Sequence, residues 1–296
     1  MSESWLVTGA LGCIGAWTAL ILVREDAKVA AFDLGDDVRR LRLIGLPREL
    51  DAIDFVRGDI TDLRTVERVM AEHEITHVVH LAALQVPFVR ENPVLGSQVN
   101  VTGTVNVFEA AKQLGLGTPI AYASSAAVYD RHGNVAPSTL YGIFKVANEG
   151  TAAIYAAEHG LASVGLRPFT VYGPGRDQGL TAGPTLALAA AVRAEPYRIA
   201  FGGTTQFHYA GDVARAFIQA ARSATDGAET FSIGGPATSM TEFVELVEAE
   251  VPGAQVSIED TVLPFPDELP EPWFDTALTP LEEGVRETAM ILRSVI

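Results

Sequence analysis

Short apolar runs recur along the first two thirds of the chain, and between them the apolar residues return at helical spacing. The runs Trp5–Thr8, Lys28–Phe32, Asp54–Arg57, His77–Leu81, Pro119–Ala123 and Ala162–Leu166 predict strands. The intervening stretches Ile14–Arg24, Asp36–Ile44, Leu63–His73, Val99–Leu114 and Tyr141–His159 predict helices. Runs this continuously apolar suit strands buried on both faces, as in a parallel sheet covered by helices. Right-handed crossovers then leave an α/β fold, a Rossmann-type doubly wound parallel sheet, as the economical topology.

After Arg167 the rhythm breaks. Tyr172–Gly179 has the composition of a loop, and the rest mixes helices (Thr185–Ala194, Gly211–Ser223, Met240–Val251, Leu281–Val295) with short strands (Arg198–Phe201, Glu229–Ile233, Gln255–Ile258). This pattern divides the chain into a main domain, 1–170, and a smaller C-terminal α/β lobe, 171–296, with some interleaving of elements allowed. Between Leu263 and Trp273 the prolines are too dense for regular structure, leaving either an ordered strap or a mobile lid.

Nearly half of the 296 residues are hydrophobic, ample for a core, yet no run approaches the roughly 20 apolar residues of a membrane span. The N-terminus lacks the basic segment of a signal peptide. Cys13 is the only cysteine, which excludes an intrachain disulfide and suits a reducing, cytoplasmic setting. A net charge of −16 argues against nucleic acid as a partner. His73, His77, His80, His132, His159 and His208 form no ligand pair with carboxylate support, so no metal is expected.

Three features carry chemistry. Gly9, Gly12 and Gly15 follow the first strand and open the first helix, so backbone and helix N-terminus can approach a pyrophosphate. Asp33 ends the second strand about twenty residues on, where a carboxylate can bind adenosine ribose hydroxyls and would repel a 2′-phosphate, which favours NAD over NADP. Asp59, in Gly58-Asp59-Ile60 at the end of the third strand, can reach an adenine amino group or simply form a surface turn. Cys13 lies inside the glycine turn and reads as a small filler rather than a reactive thiol. Tyr141 and Lys145 stand at i and i+4, on one helix face. An ammonium there, together with an oxidised nicotinamide, would lower the phenol's pKa and make it a general acid/base for a carbinol. Ser124-Ser125, ending the fifth strand, offers a hydroxyl to the same oxygen.

With these residues in place the chain resembles the extended short-chain dehydrogenases/reductases, the NAD-dependent epimerase/dehydratase group typified by UDP-galactose 4-epimerase. The matching stretches run nearly end to end: Val7–Gly15, Phe32-Asp33, Gly58–Ile60, His80–Ala83, Val99–Thr104, Ala123–Tyr129, Tyr141–Lys145, Arg167–Gly173 and Gly211–Ala214. The resemblance implies that Ser125, Tyr141 and Lys145 are catalytic. It implies a cofactor site of Gly9, Leu11, Gly12, Cys13, Ile14, Gly15, Asp33, Asp59, Ile60, Leu81, Ala82, Ala83, Asn100, Ser124, Pro168, Phe169 and Val171, shared with Tyr141 and Lys145. Gln85, Ser125, Ala126, Thr170 and Arg176 fall on the substrate side. It also implies a homodimer joined by the long helices at Val99–Leu114 and Tyr141–His159 as a four-helix interface.

The chain departs from that pattern where relatives grip a nucleotide diphosphate. Thr205-Gln206 stands where an Arg-Asp pair is usual, Pro264–Trp273 carries no basic residue, Thr170 replaces a frequent asparagine, and the stretch from Ser125 to Tyr141 is short. Losing two charge-assisted donors should weaken diphosphate binding severely, unless Arg176, Arg193 or Arg198 compensates. Ala126-Ala127 replaces the acidic pair of the dehydratases. The leading expectation is an NAD-dependent oxidoreductase or epimerase on a sugar, sugar acid or similar hydroxylated small molecule. A nucleotide-sugar 4-epimerase with rewired phosphate contacts is the second reading. A non-catalytic NAD-binding regulator is the third, disfavoured because Tyr141 and Lys145 are both kept.

Overall fold

A computed structural model describes residues 3–295. The central sheet contains β1 (Ser4–Thr8), β2 (Lys28–Asp33), β3 (Ile53–Arg57), β4 (His77–His80), β5 (Ile120–Ala123) and β6 (Ser163–Arg167). The strands after it are β7 (Thr170–Tyr172), β8 (Tyr197–Ile199), β9 (Thr204–Tyr209), β10 (Ala228–Ser232), β11 (Ala237–Ser239) and β12 (Val256–Ile258). The seven-stranded sheet has the order β10-β6-β5-β4-β1-β2-β3, every pairing parallel. Strand β10, expected in the C-terminal lobe, therefore closes one edge of this sheet against β6. Its sequence marks it as a strand, but only the tertiary fold chooses its neighbour. Two small sheets lie outside the seven-stranded one: β11-β9-β7, and β12 paired with β8.

The first helices are α1 (Cys13–Arg24), α2 (Arg39–Ile44), α3 (Pro47–Leu50), α4 (Leu63–Glu72), α5 (Val86–Glu91), α6 (Pro93–Ser97) and α7 (Gly103–Leu114). They are followed by α8 (Leu140–His159), α9 (Gly183–Val192), α10 (Ala210–Ala221), α11 (Met240–Glu250) and α12 (Leu281–Arg293). Alternate residues along each strand face opposite layers. Trp5, Val7, Val29 and Ala31 join Trp17 and Leu20 of α1 and Val213 and Phe217 of α10 in one core. Leu6, Ala30, Phe32 and Val78 join Val66 and Met70 of α4, Phe108 of α7 and Ala152 of α8 in the other. Every residue of β1 is buried, as strands sandwiched between two helical layers should be.

The strap is pinned down. Ser232 N–H donates to Pro272 O at 3.0 Å, Phe274 N–H donates to Ser232 O at 2.8 Å, and Leu263, Phe265 and Leu269 are buried. The chain order reverses between β1 and β4, so their carboxyl ends open a crevice in which an α/β sheet can hold a ligand.

Candidate functional site

A cavity of about 530 Å³ occupies that crevice. Its floor is the glycine turn, and the turn is shaped for close approach. Gly9 has φ +67°, and a Cβ there would meet the Ala82 backbone nitrogen at 2.8 Å. A Cβ on Gly15 would overlap the Gly9 carbonyl, so only glycine lets α1 start directly against β1. Helix α1 has no side-chain cap and no acidic residue in its first turn. Its leading N–H groups are thus left for an anionic ligand. Asp33 closes the turn from the side: Oδ2 accepts from Leu11 N–H at 3.0 Å and Oδ1 from Gly35 N–H at 3.1 Å. Each oxygen keeps a lone pair for a ribose hydroxyl. Asp59 and Ile60 line the same end of the cavity. The set fits a dinucleotide.

Leu11–Ile14, Leu81–Ala83, Ser124, Pro168, Phe169 and Val171 line the cavity as the sequence implied, and so do Gln85, Ser125, Ala126, Tyr141, Lys145 and Arg176. Two expected residues do not. Asn100 is buried behind the wall, where its amide accepts from Leu84 N–H at 2.7 Å and donates to Leu84 O at 2.8 Å. It shapes the loop after β4 rather than touching the cavity. Thr170 is fully buried, and its hydroxyl is spent on the Thr205 hydroxyl at 2.8 Å. The residue types suggested contacts, but the direction of each side chain is set by a tertiary partner.

The opposite end holds the reactive groups. Ser125 Oγ accepts from Ala127 N–H at 3.1 Å, which leaves its own proton free to donate. Lys145 lies on α8 with its Nζ 5.4 Å from the centre of the Tyr141 ring, and it donates to Ala123 O at 2.6 Å. Burial pushes the Lys145 pKa down to about 8, with Glu149 pulling the other way. Burial also raises the Tyr141 phenol above its ordinary value, while Ser125 and the Arg176 guanidinium pull it back. Two cations thus face the phenol: Lys145, expected from the i,i+4 spacing, and Arg176 from the loop after β7. Lack of solvent pushes the Cys13 thiol up to about 11, in keeping with a filler.

The positions at which diphosphate-binding relatives were expected to carry Arg-Asp are internal. Gln206 is fully buried; its amide donates to Gly235 O at 2.6 Å and accepts from Leu269 N–H at 2.9 Å, tying β9 to the strap. Arg193 and Arg198 pair with Glu195 and Glu259 and do not line the cavity. Lining residues missed by the sequence reading include Arg40, Thr181 and Phe265. Phe265 packs edge-on to Phe169 at 5.7 Å, a contact that no local pattern announces.

Comparison with known proteins agrees with this geometry. The model of the NAD dependent epimerase/dehydratase family matches residues 5–234. UDP-glucuronate 4-epimerase 2 of Arabidopsis thaliana is 37% identical over 188 residues, 58% of this chain and 42% of that protein. The chain thus spans less than half the length of that relative. UDP-glucose 4-epimerase of Mycolicibacterium smegmatis is 31% identical over 255 residues, covering 80% of this chain and 79% of its own. Among solved structures, the Thermus thermophilus UDP-glucose 4-epimerase in complex with NAD superposes with TM-score 0.79 at 27% identity, covering 99% of this chain and 100% of that one. A partial consensus L-threonine 3-dehydrogenase superposes with TM-score 0.86 at 25% identity and the same coverage.

Proposed function

The chain belongs to the NAD dependent epimerase/dehydratase family, and on that footing we propose that it is an NAD-dependent oxidoreductase or epimerase acting on a carbinol or ketone of a sugar, sugar acid or similar hydroxylated small molecule. The carrying observation is that a glycine turn fit for a dinucleotide and the Ser125, Tyr141 and Lys145 side chains all line one cavity. In this reading Gly9–Gly15, Asp33 and Asp59 hold the adenosine and pyrophosphate half of NAD. Leu81–Ala83, Pro168, Phe169, Val171 and Lys145 hold the nicotinamide half. When bound, NAD supplies a hydride acceptor and donor at its ring.

The chain's own residues then move the proton. Tyr141, ionised, accepts the carbinol O–H proton as the C–H bond breaks, and returns it in the reverse direction. Ser125 donates its free hydroxyl proton to the same oxygen, holding it in line. Lys145 keeps its place beside the phenol ring through Ala123 O, while Ser125 and the Arg176 guanidinium offset the burial that would otherwise keep the phenol neutral. If the ketone leaves, the net reaction is an oxidation. If it turns within the cavity before reduction, the net reaction is an epimerisation.

A free substrate is favoured over a nucleotide sugar because Thr205 and Gln206 are committed to internal hydrogen bonds. The small, apolar faces of α7 and α8 support a homodimer through a four-helix interface, and the single cysteine supports a cytoplasmic location.

The test is Tyr141→Phe. With sugars, aldonates and UDP-sugars as candidate substrates, turnover should fall by about 10²–10⁴, the usual worth of a positioned acid/base, while NAD affinity by calorimetry stays within about twofold. A wild-type protein that binds no NAD, or a Phe variant with undiminished turnover, refutes the reading.

A further inference from the structure

Three cationic side chains line the cavity, and two are committed. Lys145 donates to Ala123 O. Arg40 is bound at Nη2 to Asp177 at 2.6 Å, at Nη1 to Leu11 O at 2.8 Å and at Nε to Gly175 O at 3.1 Å, so it braces the loop after β7 against the glycine turn. Arg176 is different. It sits in that loop, between two residues that Arg40 holds, yet it has no carboxylate within ion-pair distance among the described residues. Its Nε is sealed from solvent without a partner, and its one protein hydrogen bond runs from Nη2 to Thr181 Oγ1 at 3.2 Å. An arginine presents five donors in a planar fork, and leaving them unpaired away from water is costly. The fold nevertheless delivers this fork to the cavity that Tyr141 and Lys145 also line.

We propose that Arg176, flanked by Thr181 and Gln85, is a carboxylate subsite, and that the substrate is a small polyhydroxylated carboxylic acid whose reacting carbinol lies at Tyr141. The proposal rests on the functional reading above and narrows it. A carboxylate matches the fork in two parallel hydrogen bonds. Gln85 stands beside it: a Cβ on Gly179 would overlap Gln85 Oε1 and lie 3.1 Å from Arg176 Nη2, so the amide and the guanidinium are neighbours across Gly179. Arg176, Gln85 and Tyr141 line the same cavity. A diphosphate is a poorer match. It carries more charge than one unpaired guanidinium offsets, and Arg193 and Arg198 lie elsewhere with their own acidic partners. A neutral sugar would leave the half-buried guanidinium without a compensating charge and its Nε without a partner. A carboxylate there also explains how a protein of net charge −16 takes an anionic substrate: one local cation, rather than the overall field, supplies the attraction.

The experiment is calorimetry on the NAD-loaded protein. L-threonate, D-gluconate and D-galacturonate are titrated beside their neutral counterparts L-threitol, D-glucitol and D-galactose, with UDP-glucose as a further arm. At least one acid should bind about tenfold or more tightly than its neutral counterpart. In Arg176→Gln that preference should shrink to about twofold or less, and Arg176→Lys, which keeps the charge but not the fork, should fall between. Circular dichroism and unchanged NAD affinity confirm that the variants are folded. Equal binding of acids and neutral compounds, a preference that survives Arg176→Gln, or tight binding of UDP-glucose alone overturns the subsite. A wild type that binds NAD but shows no acid preference refutes only this subsite, whereas one that binds no NAD refutes the functional reading beneath it.

Discussion

Lys145 shows what a functional residue costs the fold. Its ammonium is buried beneath the cavity with one carbonyl partner, and desolvation lowers its pKa from 10.5 to about 8 despite Glu149 one turn along the helix. Glu149 itself is drawn off by Arg167, which grips both its oxygens at 2.7 and 2.6 Å, and by the Ser124 hydroxyl at 2.5 Å. The lysine is thus held beside a carboxylate that serves other partners. Below pH 8 the native protein carries this strained charge. Between pH 8 and 10.5 the native state has lost the proton while the unfolded chain still binds it, so the penalty disappears as pH rises. Lys145→Met carries no such penalty. The difference in unfolding free energy between variant and wild type should therefore move against the variant by about 3 kcal/mol from pH 7 to pH 10.5. Urea titrations at both pH values measure it, other titrations cancelling in the difference. A gap independent of pH would show that the ammonium is not desolvated. The pair Tyr141/Lys145 was legible from its spacing together with Ser124-Ser125 at the preceding strand end; the resemblance put Arg176 on the substrate side, but that it lacks a partner is not written in the chain.

At the scale of elements, legibility followed burial pattern. The strands β1 to β6 and the long helices α1, α4 and α8 were readable because their apolar residues repeat at a period that one element satisfies by itself. Strand β9 was not, since its buried residues include Gln206 and His208, polar side chains whose partners come from distant segments. The short α5 and α6 were hidden for a related reason: each has a proline in its first two positions and carries too few residues for a period to show. Gln206 makes a testable case of the first kind. Its amide pairs with both Gly235 O and Leu269 N–H, so Gln206→Leu leaves one buried and one half-buried backbone group without those partners. The expected loss is about 2–4 kcal/mol of stability, together with faster proteolysis within residues 263–273. Glu268→Gln, on the exposed side of the same strap, should change neither. An unaltered cleavage rate in Gln206→Leu would mean that apolar packing of Leu263, Phe265 and Leu269 holds the strap without the amide.

For the whole molecule, two opposing effects of acid have to be weighed. A net charge of −16 at neutral pH means that protonating carboxylates relieves self-repulsion, which favours the folded state as pH falls. Buried histidines act in the other direction. His80 bridges the Thr8 and Thr104 hydroxyls at 2.7 and 3.0 Å, and burial, with a smaller contribution from Lys145, pushes its pKa down to about 3. His208 accepts from Phe169 N–H at 3.0 Å and donates to Gly234 O at 3.1 Å, and burial pushes it down to about 4. Both stay neutral in the native state while the unfolded chain takes up a proton at each as pH drops below about 6.5, so stability is lost in that direction. Below that pH the slope approaches about 1.4 kcal/mol per pH unit per histidine, or about 2.7 for the pair. Surface repulsion is spread over many exposed groups and screened over about 8 Å at physiological salt, so the histidines should prevail. Stability measured by urea should accordingly fall from pH 6.5 to 4.5 by several kcal/mol, a large share of the ~5–15 kcal/mol available to a domain. His208→Gln, which keeps a donor and an acceptor but cannot titrate, should remove about half of that slope. A wild-type curve that is flat over this window, or a His208→Gln curve parallel to it, would place the protonation of these imidazoles inside the folded protein.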